Sequence, residues 1–166
     1  MKIKYIPNNG FHIDSDKFNW NENRESVRQK IQNQHKTDDR TIEMAEFFGG
    51  DKSHDIEQRR DIYENIKNEK NYFFLSYDKD DKLSELEIHW GIEISVKEIE
   101  LIFQKDISKY LKELNQIGEN YLEVEEGNYL FENLKMTIAN SESMGGEGKE
   151  LSYFYSAKNI EHLIEQ

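Results

Sequence analysis

Two glutamates and a histidine alternate along one apolar segment near the middle of the chain. Glu85, Glu87 and His89 are separated by Leu86 and Ile88, so a strand would place the three polar groups on one face. Carboxylate and imidazole groups at such positions can ligate zinc or act as general acids and bases. No second histidine stands at an obvious ligand spacing. A solvated strand face is therefore the main interpretation, and a metal-dependent hydrolase is an alternative.

A cluster of carboxylates follows the clearest helical segment, residues 107–117. The cluster and its interspersed tyrosines are Glu119, Tyr121, Glu123, Glu125, Glu126 and Tyr129. Carboxylates steer a positively charged partner toward a surface, and buried aromatic side chains hold it there. We predict a protein-binding surface at this cluster, with Glu85 and Glu87 as further contacts. A solvated charged loop is the alternative.

The formal net charge of −12 is unevenly distributed along the chain. Residues 1–83 carry 17 acidic and 15 basic side chains, and residues 84–166 carry 17 acidic and 7 basic ones, so the net charges are −2 and −10. Such a field repels nucleic acid and anionic membranes and attracts cationic proteins. We expect a basic protein partner and binding to neither nucleic acid nor membrane. Simple solubility would also explain the charge.

Composition narrows the class of protein further. The chain contains no cysteine, which excludes disulfides, thiolate metal sites and thiol nucleophiles and fits a reducing cytoplasm. No signal peptide and no apolar run of about 20 residues, the length that spans a bilayer, is visible. No catalytic, metal or cofactor motif is recognisable. We therefore expect a cytoplasmic protein that is not an enzyme and needs no cofactor.

One segment combines the strand and helix periods. Apolar residues are mostly two positions apart over 94–103 and recur at steps of three and four over 107–117, between Asp106 and Gly118. This pattern predicts a strand pair followed by an amphipathic helix that is capped at both ends. Further strands are predicted at Lys2–Ile6, 13–20, Ile62–Ile66, Asn71–Tyr77, Leu83–Trp90, Tyr121–Val124, 129–133, 134–139 and Leu151–Tyr155.

A second predicted helix begins after Asn21 or Asn23. Val27 and Ile31 form its thin apolar stripe, and Arg24, Arg28 and Lys30 are expected outside. Segment 35–58 is polar and is interpreted as a partly ordered insertion and a candidate contact surface. Within it, Thr41–Phe48 is predicted to form two helical turns with Ile42, Ala45 and Phe48 inward.

The two halves of the chain share short matching segments. Ile62–Ile66 resembles Leu130–Leu134, and Phe74–Asp78 corresponds to Met136–Asn140. Such matches predict a duplicated architecture, and the predicted fold class is α+β, with antiparallel sheets and helices on one face. The predicted organisation is a single domain over 1–166, two pseudo-repeated β-α-β-β-β units at about 11–90 and 92–157, and a C-terminal helix over 157–165 that Ser156 caps.

Three segments resemble those of the immunity proteins of bacterial toxin systems. They are Phe18-x-Trp20-x₃-Arg24-x₂-Val27-Arg28, Glu126-Gly-Asn-Tyr129, and Met144-Gly-Gly-Glu147 with Leu151-Ser-Tyr-Phe-Tyr155. Immunity proteins are small, acidic cytoplasmic inhibitors carried beside contact-dependent or polymorphic toxins. The resemblance implies a protein that neutralises a cognate toxin, for example a nuclease, by occluding its active site.

The tandem α+β arrangement is also similar to that of β-lactamase inhibitory proteins, although this chain lacks the cysteines of that secreted family. Neither resemblance assigns a catalytic residue. Two other functions remain open at this point: the metal-dependent hydrolase at Glu85, Glu87 and His89, and a scaffold or ligand-binding module that uses a free sheet face.

Overall fold

The computed structural model describes residues 1–32 and 34–164, and the fold is built mainly from antiparallel strands. Its strands are β1 (Lys2–Ile6), β2 (Gly10–Ile13), β3 (Asp16–Asn19), β4 (Lys36–Thr37), β5 (Arg40–Ile42), β6 (Ile56–Gln58), β7 (Arg60–Glu64), β8 (Tyr72–Tyr77), β9 (Leu83–Trp90), β10 (Glu93–Val96), β11 (Ile99–Ile102), β12 (Leu122–Glu125), β13 (Asn128–Phe131), β14 (Met136–Asn140) and β15 (Leu151–Ala157). Its helices are α1 (Arg24–Lys30), α2 (Ile107–Gln116) and α3 (Glu161–Ile164), and short 3₁₀ turns cover Ala45–Phe48, Lys52–His54, Ile66–Asn68 and Glu132–Leu134. The predicted α+β class is confirmed.

Eight strands form one antiparallel sheet in the order β12-β13-β14-β15-β9-β8-β7-β4. A meander of β7, β8 and β9 forms part of one side of this sheet, and these strands correspond to the predicted ones at Ile62–Ile66, Asn71–Tyr77 and Leu83–Trp90. β15 pairs with β9 at the centre, although these strands are far apart in the sequence. Phe154 lies opposite Ile88 in this pair, and both side chains are fully buried. The sheet therefore runs continuously across the two halves of the chain.

Five strands form a second sheet in the order β11-β10-β1-β2-β3. β1 runs parallel to β10, whereas the other pairs are antiparallel. A parallel pair requires a long connection, and most of the first half of the chain supplies it. The hydroxyl of Tyr5 on β1 donates to the carbonyl of Leu134 at 2.6 Å. This bond ties the small sheet to the large one.

The two sheets share one apolar core, to which α1 and α2 each add an apolar stripe. The stripe of α2 is the one that its sequence period predicts, except that Ile117 lies just beyond the helix and is exposed. It consists of Ile107, Tyr110, Leu111 and Leu114. Asp106 caps the helix as predicted, because its carboxylate accepts the backbone N–H of Ser108 at 2.9 Å.

The first helix differs from the prediction in the position of an arginine. Asn23 caps α1 and Val27 is buried, as predicted. Arg24, however, is 4% exposed instead of lying outside. Its guanidinium binds the fully buried carboxylate of Asp61 at 2.6 Å and the carboxylate of Asp39 at 2.8 Å. The apolar stripe of α1 gives no information about the buried carboxylate of Asp61 on β7, so the burial of Arg24 could not be predicted from it.

Arg24 belongs to a larger set of ion pairs, the arginine network. Its members are Arg24, Arg28, Arg59, Arg60, Asp38, Asp39, Asp61 and Asp81. Arg28 was also predicted outside, but its Nε donates to Asp61 at 2.9 Å. Arg59 binds Asp81 at 2.7 Å, and Arg60 binds Asp38 at 2.6 Å and lies 4.0 Å from Glu87. The network joins α1, β7 and the two adjoining loops.

Residues 40–58 form a hairpin arm at the β7 side of the large sheet, in which β5 pairs with β6. The predicted helix over 41–48 is wrong, because Ile42 lies in β5 and the following residues make only a 3₁₀ turn. Ile42 and Phe48 were predicted inward but are exposed. The arm stabilises itself, since Asp55 accepts the backbone N–H groups of Met44 and Ala45.

The predicted C-terminal helix over 157–165 begins too early in the sequence. β15 continues through the predicted start, and α3 begins only at Glu161. Asn159 caps α3 by accepting the backbone N–H of Glu161 at 3.0 Å, in the role predicted for Ser156. The last position of the predicted range lies outside the described residues.

The face of the large sheet opposite the core carries α3. Ile160 and Leu163 pack there against Leu130, Tyr155 and Ala157. The prediction of helices on one face thus holds for α1 and α2 but not for α3. The rest of this surface, called the open face below, presents Arg60, Tyr72, Phe74, Glu85, Glu87, His89 and Tyr153. The single domain and the pseudo-repeat stay predictions.

Candidate functional site

The predicted acidic cluster lies on the outermost strand of the large sheet. β12 pairs with β13 on one side only, and all four of its residues are exposed. A bulge lies between Glu123 and Glu125, and a tight turn leads into β13. The backbone N–H of Gly127 in this turn donates to Glu123 at 2.9 Å. Gly127 has a φ of 77°, and an added Cβ would lie 2.3 Å from the side chain of Asn140, so glycine is required there.

The cluster borders a groove of about 290 Å³ between this turn and the amino-terminal end of α2. The lining residues, which define the acidic groove, are Asp106, Ile107, Ser108, Leu111, Glu123, Glu126, Gly127, Tyr129, Asn140, Glu142 and Lys149. They include four carboxylates and one ammonium group. Sequence reasoning found Glu123, Glu126 and Tyr129 but missed Asp106 and Glu142, because folding alone brings these into the same groove.

The charges in the groove are favourable for a cation. Hydrogen bonds from Ser108 lower the pKa of Asp106 below its ordinary value. Burial, followed by the nearby carboxylate of Glu123, raises the pKa of Tyr129. The acid is therefore ionised and the phenol neutral at neutral pH. The groove combines negative charge with an aromatic and aliphatic wall, a combination that suits a lysine or arginine side chain.

The two predicted tyrosines, Tyr121 and Tyr129, connect the exposed edge to the apolar core through ring contacts. The ring of Tyr121 meets that of Tyr129 edge-on, with 5.4 Å between the centroids. Tyr121 also lies 5.6 Å from the ring of Phe131, which is fully buried. An aromatic chain thus runs from the exposed edge into the core. Aromatic groups held in this way lose little conformational freedom when a partner covers them.

Glu119 is placed differently from the rest of the predicted cluster. It is buried, and its carboxylate pairs with Lys97 in the loop between β10 and β11. This contact links the end of α2 to the small sheet. Because Glu119 is neutralised by its own lysine, its charge is not presented to a partner.

Glu85, Glu87 and His89 share one face of β9 as predicted, but this face is not simply solvated. Burial raises the pKa of Glu87 and lowers that of His89. Tyr153 donates its hydroxyl to Glu87 at 3.2 Å, and the ring of Phe74 lies 4.6 Å from that of His89. Aromatic side chains therefore shield the polar groups, and Glu87 is largely enclosed.

Strict alternation along β9 predicts that Trp90 shares a face with Leu86 and Ile88. A bulge between Tyr72 and Phe73 shifts the pairing of β8 with β9, so that Trp90 lies opposite Tyr72. The two rings stack at 4.4 Å on the outside, and Trp90 is half exposed. The prediction for Trp90 was wrong because strict alternation does not hold across a bulge.

The metal-dependent alternative gains no support from the geometry of the open face. Within residues 1–32 and 34–164, no group of three or more His, Asp or Glu side chains is arranged to hold a metal ion. His89 lies 3.8 Å from Glu87, beyond hydrogen-bonding distance. The area that a ligand could occupy on the open face is also reduced, because α3 and the residues before it cover part of this face.

Comparison of the chain with protein-family models, with curated proteins and with solved structures finds no significant match. None of the described helices is both long and apolar enough to cross a bilayer.

Proposed function

We propose that this protein is an immunity protein that binds a cognate bacterial toxin and occludes its active site. The observation that carries the proposal is the acidic groove beside an exposed strand. Its carboxylates come from the cap of α2, from β12 and the turn after it, and from the loop after β14, and Tyr129 lines the same groove. A toxin that acts on a polyanion such as nucleic acid has a basic active-site surface, which this groove would complement.

The charge distribution supports the same proposal. The second half of the chain, which contains the groove, carries the net charge of −10. A concentrated negative field raises the association rate of a basic partner by about 10- to 1,000-fold and makes it sensitive to salt. Electrostatic attraction would bring the toxin to the groove, and contacts with Tyr121 and Tyr129 would then hold it.

The proposed contact residues are narrower than the predicted set. Glu123 and Glu126 line the groove, and Glu125 lies beside them on the exposed edge. Glu85 stays a secondary candidate because it is half-buried on the open face and borders a second groove of about 610 Å³ next to α3. We leave Glu119 and Glu87 out, since the first is paired with Lys97 and the second is enclosed by aromatic groups.

We further propose that the protein is cytoplasmic, is not an enzyme, requires no cofactor and binds neither nucleic acid nor membrane. The absence of cysteine and the negative charge support this part of it.

We also propose that the scaffold consists of two related halves. In the large sheet, the strand order outward from the central pair is β9, β8, β7, β4 on one side and β15, β14, β13, β12 on the other. Each side thus runs backward along the chain, and a 3₁₀ turn follows both β7 and β13. This correspondence supports the pseudo-repeat that the matching segments predict.

A growth assay with matched variants tests the toxin proposal. The toxic domain encoded by the neighbouring gene is expressed in a susceptible bacterium with the wild-type chain, with E123K/E125K/E126K, or with the control D16K/E64K/D80K. Both triple variants change the net charge equally, and all six carboxylates are exposed. We expect the wild type and the control to restore growth and the edge variant to fail while remaining folded by circular dichroism. No rescue by the wild type, or equal rescue by both variants, would contradict the proposal.

A further inference from the structure

The outer strands of the two sheets differ in how they are protected. An edge strand exposes unpaired N–H and C=O groups to which another chain can add a strand, and proteins normally block such edges. Apart from the two-stranded hairpin arm, the described sheets end at β3 and β11 in the small sheet and at β4 and β12 in the large one.

Side chains of the protein itself block both edges of the small sheet. At β3, Lys30 donates to the carbonyl of Lys17 at 2.5 Å, and Glu22 accepts the N–H of Asn19 at 3.3 Å. At β11, the hydroxyl of Tyr110 accepts the N–H of Ile102 and donates to its carbonyl, both at 3.1 Å. The backbone groups that an added strand would need are therefore already engaged.

The large sheet has one short edge and one open edge. β4 contains only Lys36 and Thr37, and the hydroxyl of Thr37 is bound by Arg28. β12 has four residues, and in the described chain no strand lies beyond it. Leu122 is 53% exposed and Val124 is 37% exposed. The protection of β12 consists of a bulge and the charges of Glu123 and Glu125, which a basic strand would neutralise, and the two exposed apolar side chains favour pairing.

We propose that β12 accepts a β-strand from the toxin, so that the partner extends the large sheet by one strand. The backbone of β12 would supply hydrogen bonds, Leu122 and Val124 would pack against apolar residues of the added strand, and Glu123 and Glu125 would pair with its cationic residues. The cationic character of the occupant rests on the proposed function. The open state of this edge rests on the sheet order alone.

A second copy of the chain is a poorer occupant of the same edge. Self-pairing would bring together two strands that each carry Glu123 and Glu125, with Glu126 next to them. It would also bring together two half-molecules of net charge −10. Like charges across a strand pair are destabilising, whereas a basic strand would neutralise them.

Peptide probes and amide hydrogen exchange test the inference. The ¹⁵N-labelled full chain is mixed with a ten-residue peptide of alternating lysine and valine. The controls are the same peptide N-methylated at every second residue, which removes backbone donors, and an alternating glutamate–valine peptide. We expect exchange of β12 amides to slow at least tenfold with the lysine–valine peptide only. Unchanged exchange in β12, or equal protection by the N-methylated peptide, would overturn the inference.

Variants of the chain sharpen this test. L122K/V124K should abolish the protection, whereas I102K, at an exposed residue of the blocked β11 edge, should leave it unchanged. Sedimentation of the wild type that shows a dimer, lost in L122K/V124K, would overturn the inference in favour of self-pairing. A toxin that binds through the acidic groove without protecting β12 would also overturn it but leave the proposed function intact. Peptide protection without toxin binding would support the edge and contradict the function.

Discussion

Asp61 lies fully buried on β7 and accepts hydrogen bonds from the guanidinium groups of Arg24 and Arg28. Burial alone would raise the pKa of Asp61, but the hydrogen bonds from Arg28 and Arg24 outweigh this and hold the pKa below its ordinary value. The carboxylate is therefore charged in the folded state. Its role is to neutralise two cations that α1 brings to the same place.

Removing this charge should destabilise the fold severely. We expect D61N to lower the free energy of unfolding by about 3–5 kcal/mol, because it removes the fully buried carboxylate that both guanidinium groups share and leaves them the more exposed partners Asp39 and Glu25. Urea unfolding at neutral pH measures this change. D14N is the matched control, because Asp14 pairs with Lys67 at the surface and such pairs contribute at most about 1 kcal/mol. Similar effects of the two variants would contradict the assigned role of Asp61.

The same ion pairs predict how the stability difference depends on pH. A carboxylate with a depressed folded-state pKa contributes stability above its unfolded pKa of about 4, and this contribution is lost as pH falls through the folded value. The gap between the wild type and D61N should therefore be constant near neutral pH and shrink below about pH 4. A gap that stays constant down to pH 2 would show that the charge of Asp61 is not responsible.

Glu87 should show the opposite dependence, because burial raises its pKa. A raised folded-state pKa contributes stability that is present at low pH and is lost as pH rises through the folded value. We therefore expect E87Q to raise the melting temperature at pH 8 and to leave it unchanged at pH 4. E125Q, on the exposed edge, should change neither. A lower melting temperature of E87Q at pH 8 would mean that ionised Glu87 stabilises the fold through Arg60.

At the scale of elements, α2 and the hairpin arm show what local sequence can and cannot predict. The boundaries of α2 follow from its own residues, since Asp106 and the apolar period are local signals. The arm has apolar residues at helical spacing, but no surface of the protein covers them: Phe47, for example, is 81% exposed. Because no apolar surface of the described chain packs against Ile42 and Phe48, their helical spacing is not enough to stabilise a helix.

Deleting the arm should therefore cost little stability. None of the residues 40–58 is buried, and Arg40 and Gln58 lie opposite each other at its base. We expect a variant in which Asn-Gly replaces residues 41–57 to melt within a few degrees of the wild type, because surface changes alter stability by only about 0.5 kcal/mol each. Calorimetry measures this shift. A loss of more than about 10 °C would indicate that the arm packs on the core.

At the scale of the whole molecule, the strand order could not be predicted from the sequence. The parallel pair of β1 and β10 and the central pair of β9 and β15 join distant segments, whereas strand periodicity reports only local structure. The acidic groove also depends on contacts between segments that are distant in the sequence. Glu123 and Glu126 could be found as a sequence cluster, but Asp106 and Glu142 reach the groove only through the sheet order and the packing of α2.

The uneven charge is a property of the whole molecule, and the fold exposes part of it along the β12 edge. Four of the 15 basic side chains of the first half are paired within the arginine network, and the edge carboxylates of the second half face solvent. The central claim is that these carboxylates guide and bind a basic toxin.

The association rate constant of the protein with the toxic domain that the proposal expects the neighbouring gene to encode, measured by stopped flow from low to high salt, tests this claim most directly. We predict that the rate falls steeply with salt for the wild type, and that at low salt E123K/E125K/E126K reduces it by about 100-fold while D16K/E64K/D80K reduces it much less. Equal rates for the two variants, or a wild-type rate that does not depend on salt, would contradict the claim.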